Sequence, residues 1–457
     1  MSAPDVQGGL ERAKAVAAAM PERGMFAGTE WRIAPAAFPL APQLIRQLEA
    51  LGPHLLAFYR ACNLLYRFSV RGTLPRWIAD YLDAGKPASL VEASRSNRFK
   101  SHLPRVIRPD ILLGNGGDAS ALTISELDSV PGGIGLTAWF NQTYAALGDV
   151  VVGGPRAMKD GFLQILREST EAAAPVVRVV VSEEAATYRP EMDWISRELA
   201  AEAFDIKAVR PEDLQLDGRE KPDVVYRFFE LFDLANVPNS DALLSAAGEG
   251  KLVVTPPFKP QLEEKMLFAF FWHTALQNFW RQELGEKTVA ALRLVFPYTW
   301  ILDPTPLPPH AVIPELGIHS WQELAGFSQK QRELVIKVSG FDPDAWGSRS
   351  VVIGHDLPAG EWSAAIEQAL KDFPNRPHVL QRFHRTGVVE AEWADVEAGE
   401  LHPMKGRVRL CPYYFVIGDE ARLSGVLATI CPLDKKIIHG MADAIMAPCR
   451  VAHGDAG

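Results

Sequence analysis

The chain has 457 residues, 47% hydrophobic and 23% charged, with a formal net charge of -9. That length holds about two to four structural units with cores of their own, and the composition is that of a globular protein. An acidic balance without any basic run excludes nucleic acid or an anionic membrane surface as the main partner.

Cys62, Cys411, Cys431 and Cys449 are scattered without paired or Cys/His spacing. They read as reduced thiols of a cytoplasmic protein, not a zinc site or a disulfide framework. The opening residues lack the charged-then-apolar pattern of a secretion signal. The most apolar helix-like stretch, 266–280, is short and interrupted by His273, Gln277 and Asn278, so no membrane span is expected.

In chain order, an Ala-rich helix is expected over 9–20, and one or two amphipathic helices over 42–68, where Leu44, Leu48, Leu51, Leu55 and Phe58 recur at helical spacing. A further helical turn covers 77–82. Two short apolar runs, 111–113 and 121–127, flank a turn carrying Asn115, Gly116, Gly117 and Asp118, which predicts a β-hairpin. Asp110 opens its first strand. Glu126 and Asp128, two apart in the second, project from one face. Spacing alone leaves two readings, a solvated strand face or a site where a hard cation such as Mg²⁺ separates three carboxylates. Behind the glycine turn 131–135 a helix is expected over 136–147.

Residues 176–181 form a β-branched apolar run broken only by Arg178, as in a strand buried on both faces of a parallel sheet. A helix over 190–202, a strand over 206–209 and another over 223–227 complete a βαβ pattern. No Gly-x-Gly-x-x-Gly fingerprint accompanies it, so no dinucleotide is expected there. Asp223 and Arg227 are open to two roles, substrate contact or strand termination. A strand runs into a proline turn over 251–260, and a helix follows from Glu263, Glu264 and Lys265.

Residues 333–340 read as a strand carrying Lys337 into a loop with Gly347, Ser348 and Ser350. An ammonium before a Gly/Ser loop is a means of holding a polyphosphate, the lysine as a point charge and the loop amides as donors. An ordinary hairpin with a surface lysine is the plain alternative. A helix over 360–370, a strand over 378–383 and a last hairpin over 407–430 follow. Arg407 and Arg409 alternate onto one face of that hairpin. Asp434, His439 and Asp443 have no spacing that converts into chemistry.

Arg108-x-Asp110, the hairpin, Glu126-x-Asp128 and then Pro131-Gly132 resemble the metal-binding hairpin of ATP-grasp ligases, D-alanine–D-alanine ligase among them. Residues 335–350 resemble the lysine strand and closing loop of the same superfamily, and 296–300 its entry into the smaller lobe. The order is rotated, with carboxylates near residue 110 and the lysine near 337. This resembles the circularly permuted ATP-grasp families that include relatives of glutathionylspermidine synthetase.

The resemblance implies an α/β (α+β lobes) ATP-grasp fold in circularly permuted order with a Rossmann-like domain preceding the nucleotide grip. Residues 1–165 would hold N-terminal helices and the metal-binding part of the large lobe. Residues 170–260 would form the Rossmann-like domain, 261–390 the small ATP-binding lobe, and 391–457 the hairpin completing the large lobe beside the carboxylate strands. Asp110, Glu126 and Asp128 would bind two Mg²⁺ ions, Glu126 bridging them. Asp128 stands where the family has Asn.

Lys337, Gly347, Ser348 and Ser350 would grip ATP, and the strand through Gln381 and Phe383 would pair with its adenine. Gln381 occupies a place the family usually fills with an acid, and Glu264-Lys265 departs from the family's Asn-Lys. Arg108, with Arg409, would face the reacting carbonyl. The implied function is a Mg-ATP-dependent, ADP-forming carboxylate–amine (or thiol) ligase acting on small molecules. The alternatives are a non-catalytic nucleotide-binding regulatory protein and a two-domain glycosyltransferase-like protein. Neither substrate nor oligomeric state is legible.

Overall fold

A computed structural model describes residues 6–21, 31–114, 122–128, 130–202, 204–218, 221–435, 437–438 and 443–452. The chain divides into two compact units. Unit 1 comprises 1–56, 101–257 and 386–457, and unit 2 comprises 57–100 and 258–385.

Unit 1 holds two sheets. The larger contains β1 (Arg32–Ile33), β2 (Phe38–Leu40), β3 (Val106–Leu113), β4 (Leu122–Asp128), β13 (Val389–Asp395), β14 (Glu400–Ile417), β15 (Glu420–Pro432) and β16 (Ile445–Val451). Its order is β13-β1-β16-β15-β14-β3-β4, with β2 alongside β16. Because β13 also pairs with β14, five of these strands close into a ring. The second sheet is parallel, in the order β6-β5-β7-β8, formed by Val177–Val181 (β5), Ile206–Val209 (β6), Val224–Phe228 (β7) and Val253–Thr255 (β8). Every residue of β5 and of β7 is buried, as their mostly apolar composition requires of strands covered on both faces. Arg178 and Arg227 are the charged exceptions, and Arg178 pairs with Asp205 at 2.9 Å.

Helices Ile134–Ala146 and Ala157–Arg167 belong to the core that joins the two sheets. Phe140, Phe162 and Ile165 pack there with Val177, Val179 and Tyr226 of the parallel sheet and with Tyr413, Phe415 and Leu427 of the larger one. Phe162 is fully buried with its ring 4.9 Å from that of Tyr226. Cutting it to alanine would cost about 3–5 kcal/mol.

Unit 2 is built on an antiparallel sheet ordered β11-β10-β12-β9, from Thr299–Ile301 (β9), Leu334–Val338 (β10), Val352–Ile353 (β11) and His378–Arg382 (β12). Helix Ala359–Asp372 covers one face, with Trp362, Ile366 and Leu370 against Trp300, Leu334, Ile336 and Leu380. The opposite face carries Val335, Lys337, Val379, Gln381 and Thr299, all buried. Alternation along antiparallel strands therefore separates a greasy face from one with polar side chains at its centre.

The apolar stretch expected as one helix is two, because His273 adopts an extended conformation (ψ 126°) between Met266–Trp272 and Gln277–Val295. Residues 42–70 form a single helix, Pro42–Val70, with Pro53 inside it. No helix among the described residues is long and apolar enough to cross a membrane.

Candidate functional site

Strands β3 and β4 pair so that Arg108 faces Asp128 and Asp110 faces Glu126, with a bulge between Asp110 and Ile111. The expected hairpin turn, with Asn115 to Asp118, lies outside the described residues. On its other side β3 pairs with β14, Leu112 opposite Arg409. The C-terminal hairpin thus lies beside the carboxylate strands in one sheet, as expected.

Six side chains converge there. Arg108 Nη2 lies 2.8 Å from Asp128 Oδ2, and Arg108 Nε lies 3.2 Å from Asp110 Oδ1. Arg409 Nη1 reaches Asp110 Oδ2 at 2.9 Å. Arg108 Nη1 donates to the Gly132 carbonyl at 2.9 Å, and Tyr413 Oη donates to that same oxygen at 2.7 Å. Cys411 Sγ lies 3.4 Å from Asp110 Oδ1, and burial pushes this thiol up to about 12, with Asp110 adding to the shift.

The charges do not balance locally. Burial pushes the Asp128 carboxyl above its usual range; Arg108 opposes that rise, while Glu126 and Asp110 add to it. Arg108 is buried too, which works against its charge, yet Asp110 and Asp128 hold its guanidinium firmly protonated. Three carboxylates face two guanidiniums, so one more cation is electrostatically welcome. Their oxygens suit a hard ion such as Mg²⁺. Their spacing here is set by Arg108, and among the described residues no three His, Cys, Asp or Glu side chains are gathered to hold a metal.

In unit 2, Lys337 Nζ donates to Gln381 Oε1 at 2.9 Å, and Gln381 Nε2 donates to Thr299 Oγ1 at 3.2 Å. Register places Lys337 opposite Val379, so Gln381 is its diagonal neighbour on the same face. The side chain of Gln381 therefore belongs to the lysine. The loop beyond β10 turns through Gly347 and Ser348, both at φ 63°, with Arg349 N donating to Trp346 O at 3.3 Å. Two left-handed residues in succession are the signature of a type I′ turn. Ser350 Oγ accepts from Val338 N at 3.2 Å and so ties this loop to the end of β10. Arg376 clamps its start, 2.7 Å from Asp342, and Lys265 donates to the Ala345 carbonyl at 2.8 Å. Phe383 packs edge-on against His355, centroids 4.6 Å apart.

Several residues play other parts. Arg227 is fully buried and donates to the carbonyls of Pro256, Pro257 and Phe229, while Asp223 accepts from Val176 N at 2.9 Å. Both hold backbone. Arg407 donates to the carbonyls of Leu433 and Lys435, away from Arg409's partner. His439 lies outside the described residues, and Asp443 lies 3.8 Å from Arg32 and 3.6 Å from Lys435.

Sequence reasoning missed Glu191, whose carboxylate accepts from the Gly133 and Leu136 amides. It also missed the buried pair Lys86–Glu264, which holds the Ser339 hydroxyl just after Lys337. Unit 1 also contains a cleft of about 580 Å³ beside Ala37, Met404, Ile430 and Arg450, which none of the expected site residues lines.

The two sheets of unit 1 and the lysine-bearing sheet of unit 2 define an α/β protein with an ATP-grasp-like fold. Among solved structures the chain is similar to a glutathione synthetase-like effector from Globodera pallida in its apo form. The TM-score is 0.57 at 12% identity, over 98% of this chain and 97% of that one. The likeness is one of fold. No protein-family model matches the chain, and no curated protein does.

Proposed function

We propose that the chain is a Mg-ATP-dependent, ADP-forming ligase that joins a small carboxylate to an amine or a thiol through an acyl phosphate. The observation that carries this reading is the Arg108 cluster, in which Asp110, Asp128 and Arg409 meet on one sheet face with Glu126 opposite Asp110. The buried Lys337 ahead of a Gly–Ser turn supports it from unit 2.

In this reading a substrate carboxylate attacks the γ-phosphate, releasing ADP. The amine or thiol then adds to the acyl phosphate and phosphate departs. Phosphoryl transfer asks for positioning and charge neutralisation more than covalent chemistry from the protein. Lys337, Gly347, Ser348 and Ser350 hold phosphate oxygens, and the strand through Gln381 and Phe383 receives the adenine. Arg108 and Arg409 face the anionic tetrahedral intermediate, and one such preorganised donor is worth roughly a hundredfold in rate. Asp110, Glu126 and Asp128, which Arg108 spaces apart here, would have to draw together to hold magnesium, which when bound neutralises phosphate charge.

Both groups of residues are needed for turnover in this proposal. The carboxylates precede the lysine in the chain, which we read as a circularly permuted order; the β3–β14 pairing supports that. Four free, buried thiols agree with a reducing, cytoplasmic setting.

ADP and phosphate release should be measured with Mg-ATP against pools of carboxylic acids, amines and thiols. Release is expected only when an acid and a nucleophile are both present. A second reading, nucleotide binding without turnover, is favoured by Arg108 already pairing with two of the three carboxylates. ATP binding with no release in any pool would decide for it.

A further inference from the structure

We propose that Glu191 is a positioning residue for the Arg108 cluster: its carboxylate holds the glycine turn before helix Ile134–Ala146 in the shape that presents the Gly132 carbonyl to Arg108. The catalytic consequence rests on the ligase reading; the positioning itself does not.

That helix starts from Gly133 at φ 90° and has no side-chain cap of its own. Its first amides need acceptors. Glu191, in the first turn of helix Arg189–Ala200, supplies them from elsewhere in unit 1. Oε1 accepts from Gly133 N at 2.6 Å and Oε2 from Leu136 N at 2.8 Å. The approach is close enough to require glycine. A Cβ on Gly135 would lie 2.3 Å from the Glu191 carbonyl oxygen, and one on Gly132 would lie 2.2 Å from the Tyr188 ring. So held, the turn offers Gly132 O to Arg108 Nη1 and Tyr413 Oη, and Arg108 carries the order onward to Asp110 and Asp128.

Glu191 is 5% exposed, and among the described residues no cation pairs with it. A buried carboxylate held by amides and a helix N-terminus is a costly way to cap a helix if stability is its only return. Arg108, Tyr188, Tyr226 and Tyr413 are the charged and titratable groups that feel it. Burial pushes its carboxyl up to about 7, opposed by the amides of Leu136 and Gly133 and by Arg108. Only the ionised form accepts on both oxygens; the acid surrenders one to a proton.

The test uses the full chain in two arms. In the first, the Gly133 and Leu136 amide resonances of the wild type are followed from pH 5 to 9, beside those of Glu191→Gln. Both amides are expected to shift with one midpoint near pH 7, and the glutamine variant to show none. Gly133 and Leu136 amides of the wild type that exchange with deuterated solvent as fast as unprotected amides overturn the proposal, and this holds even if the variant fails to fold.

In the second arm, ATP turnover is compared. Glu191→Gln is expected to lower kcat/KM about ten- to a hundredfold, the range of a supporting residue. It should also erase a rise in wild-type activity through pH 7. Titrating amides in a wild type that does not turn over ATP leave the positioning intact and remove the ligase reading. Unchanged turnover and pH profile in Glu191→Gln remove the positioning claim and leave the ligase reading standing.

Discussion

Arg108 and Asp128 stand directly opposite each other across the β3–β4 ladder, and their side chains meet at 2.8 Å with only 15% and 17% of each exposed. The same guanidinium touches Asp110 and the Gly132 carbonyl. One side chain thus links both carboxylate strands to the glycine turn.

Arg108→Met should therefore cost about 3 kcal/mol, because it leaves the buried Asp110 and the half-buried Asp128 short of a partner. Adding Asp128→Asn should restore part of that loss by removing one of the stranded charges. Urea denaturation of the wild type, the single and the double variant checks this. Equal stability of single and double variants would show that the pair is not coupled.

Gln381→Met removes the acceptor that Lys337 Nζ meets at 2.9 Å. A cost of about 1–2 kcal/mol is expected, as for a buried hydrogen bond to a charged group, whereas Gln381→Glu should keep the contact. Thermal melts of the three proteins separate these outcomes.

Ser348 sits at φ 63°, where glycine is at ease and serine is strained. Ser348→Gly should stabilise by up to about 1 kcal/mol, and Gly347→Ala should destabilise by a similar amount. No atom lies closer than 4.0 Å to the new Cβ at Gly347, so any loss there is conformational and not a clash. Melting temperatures with opposite signs are the expected result.

Much of the fold was legible because burial and alternation leave strong marks. The valine-rich β5 and the lysine-bearing β10 emerged within a residue or two of their expected ends. The polar first third of β14 did not. Residues 400–406 expose one side while pairing with β13, and Glu, His, Pro and Lys there carry no strand signal. Asp110, Glu126 and Asp128 could be placed together because a hairpin brings a spacing of two on one strand beside the start of the other, whereas Arg108 joined them only through the resemblance of its Arg-x-Asp to the ATP-grasp hairpin.

Glu191 could not be placed, since it lies 58 residues from the amide it receives and nothing around it differs from an ordinary first helical turn. Gln381 was read as a departure from an acidic residue. Its contact with Lys337 depends on cross-strand register, which no local pattern encodes.

The folded-state rise of Glu191 to about 7 has a sign that can be tested. Its folded pKa lies above the unfolded one, so its favourable contribution is complete below about pH 4.5 and is lost as pH rises through 7. Unfolding free energy should fall across that window by up to about 3 kcal/mol from this group. Glu191→Gln should flatten the fall, as measured by chemical denaturation at pH 5 and pH 8.

The central claim is that the Arg108 cluster and the Lys337 grip are each needed for turnover of Mg-ATP. It is tested most directly by Mg-ATP-dependent ADP release from Asp128→Ala and Lys337→Ala, each shown by circular dichroism to be folded. The claim requires that each change alone abolish release. Turnover at the wild-type rate in both folded variants would contradict it.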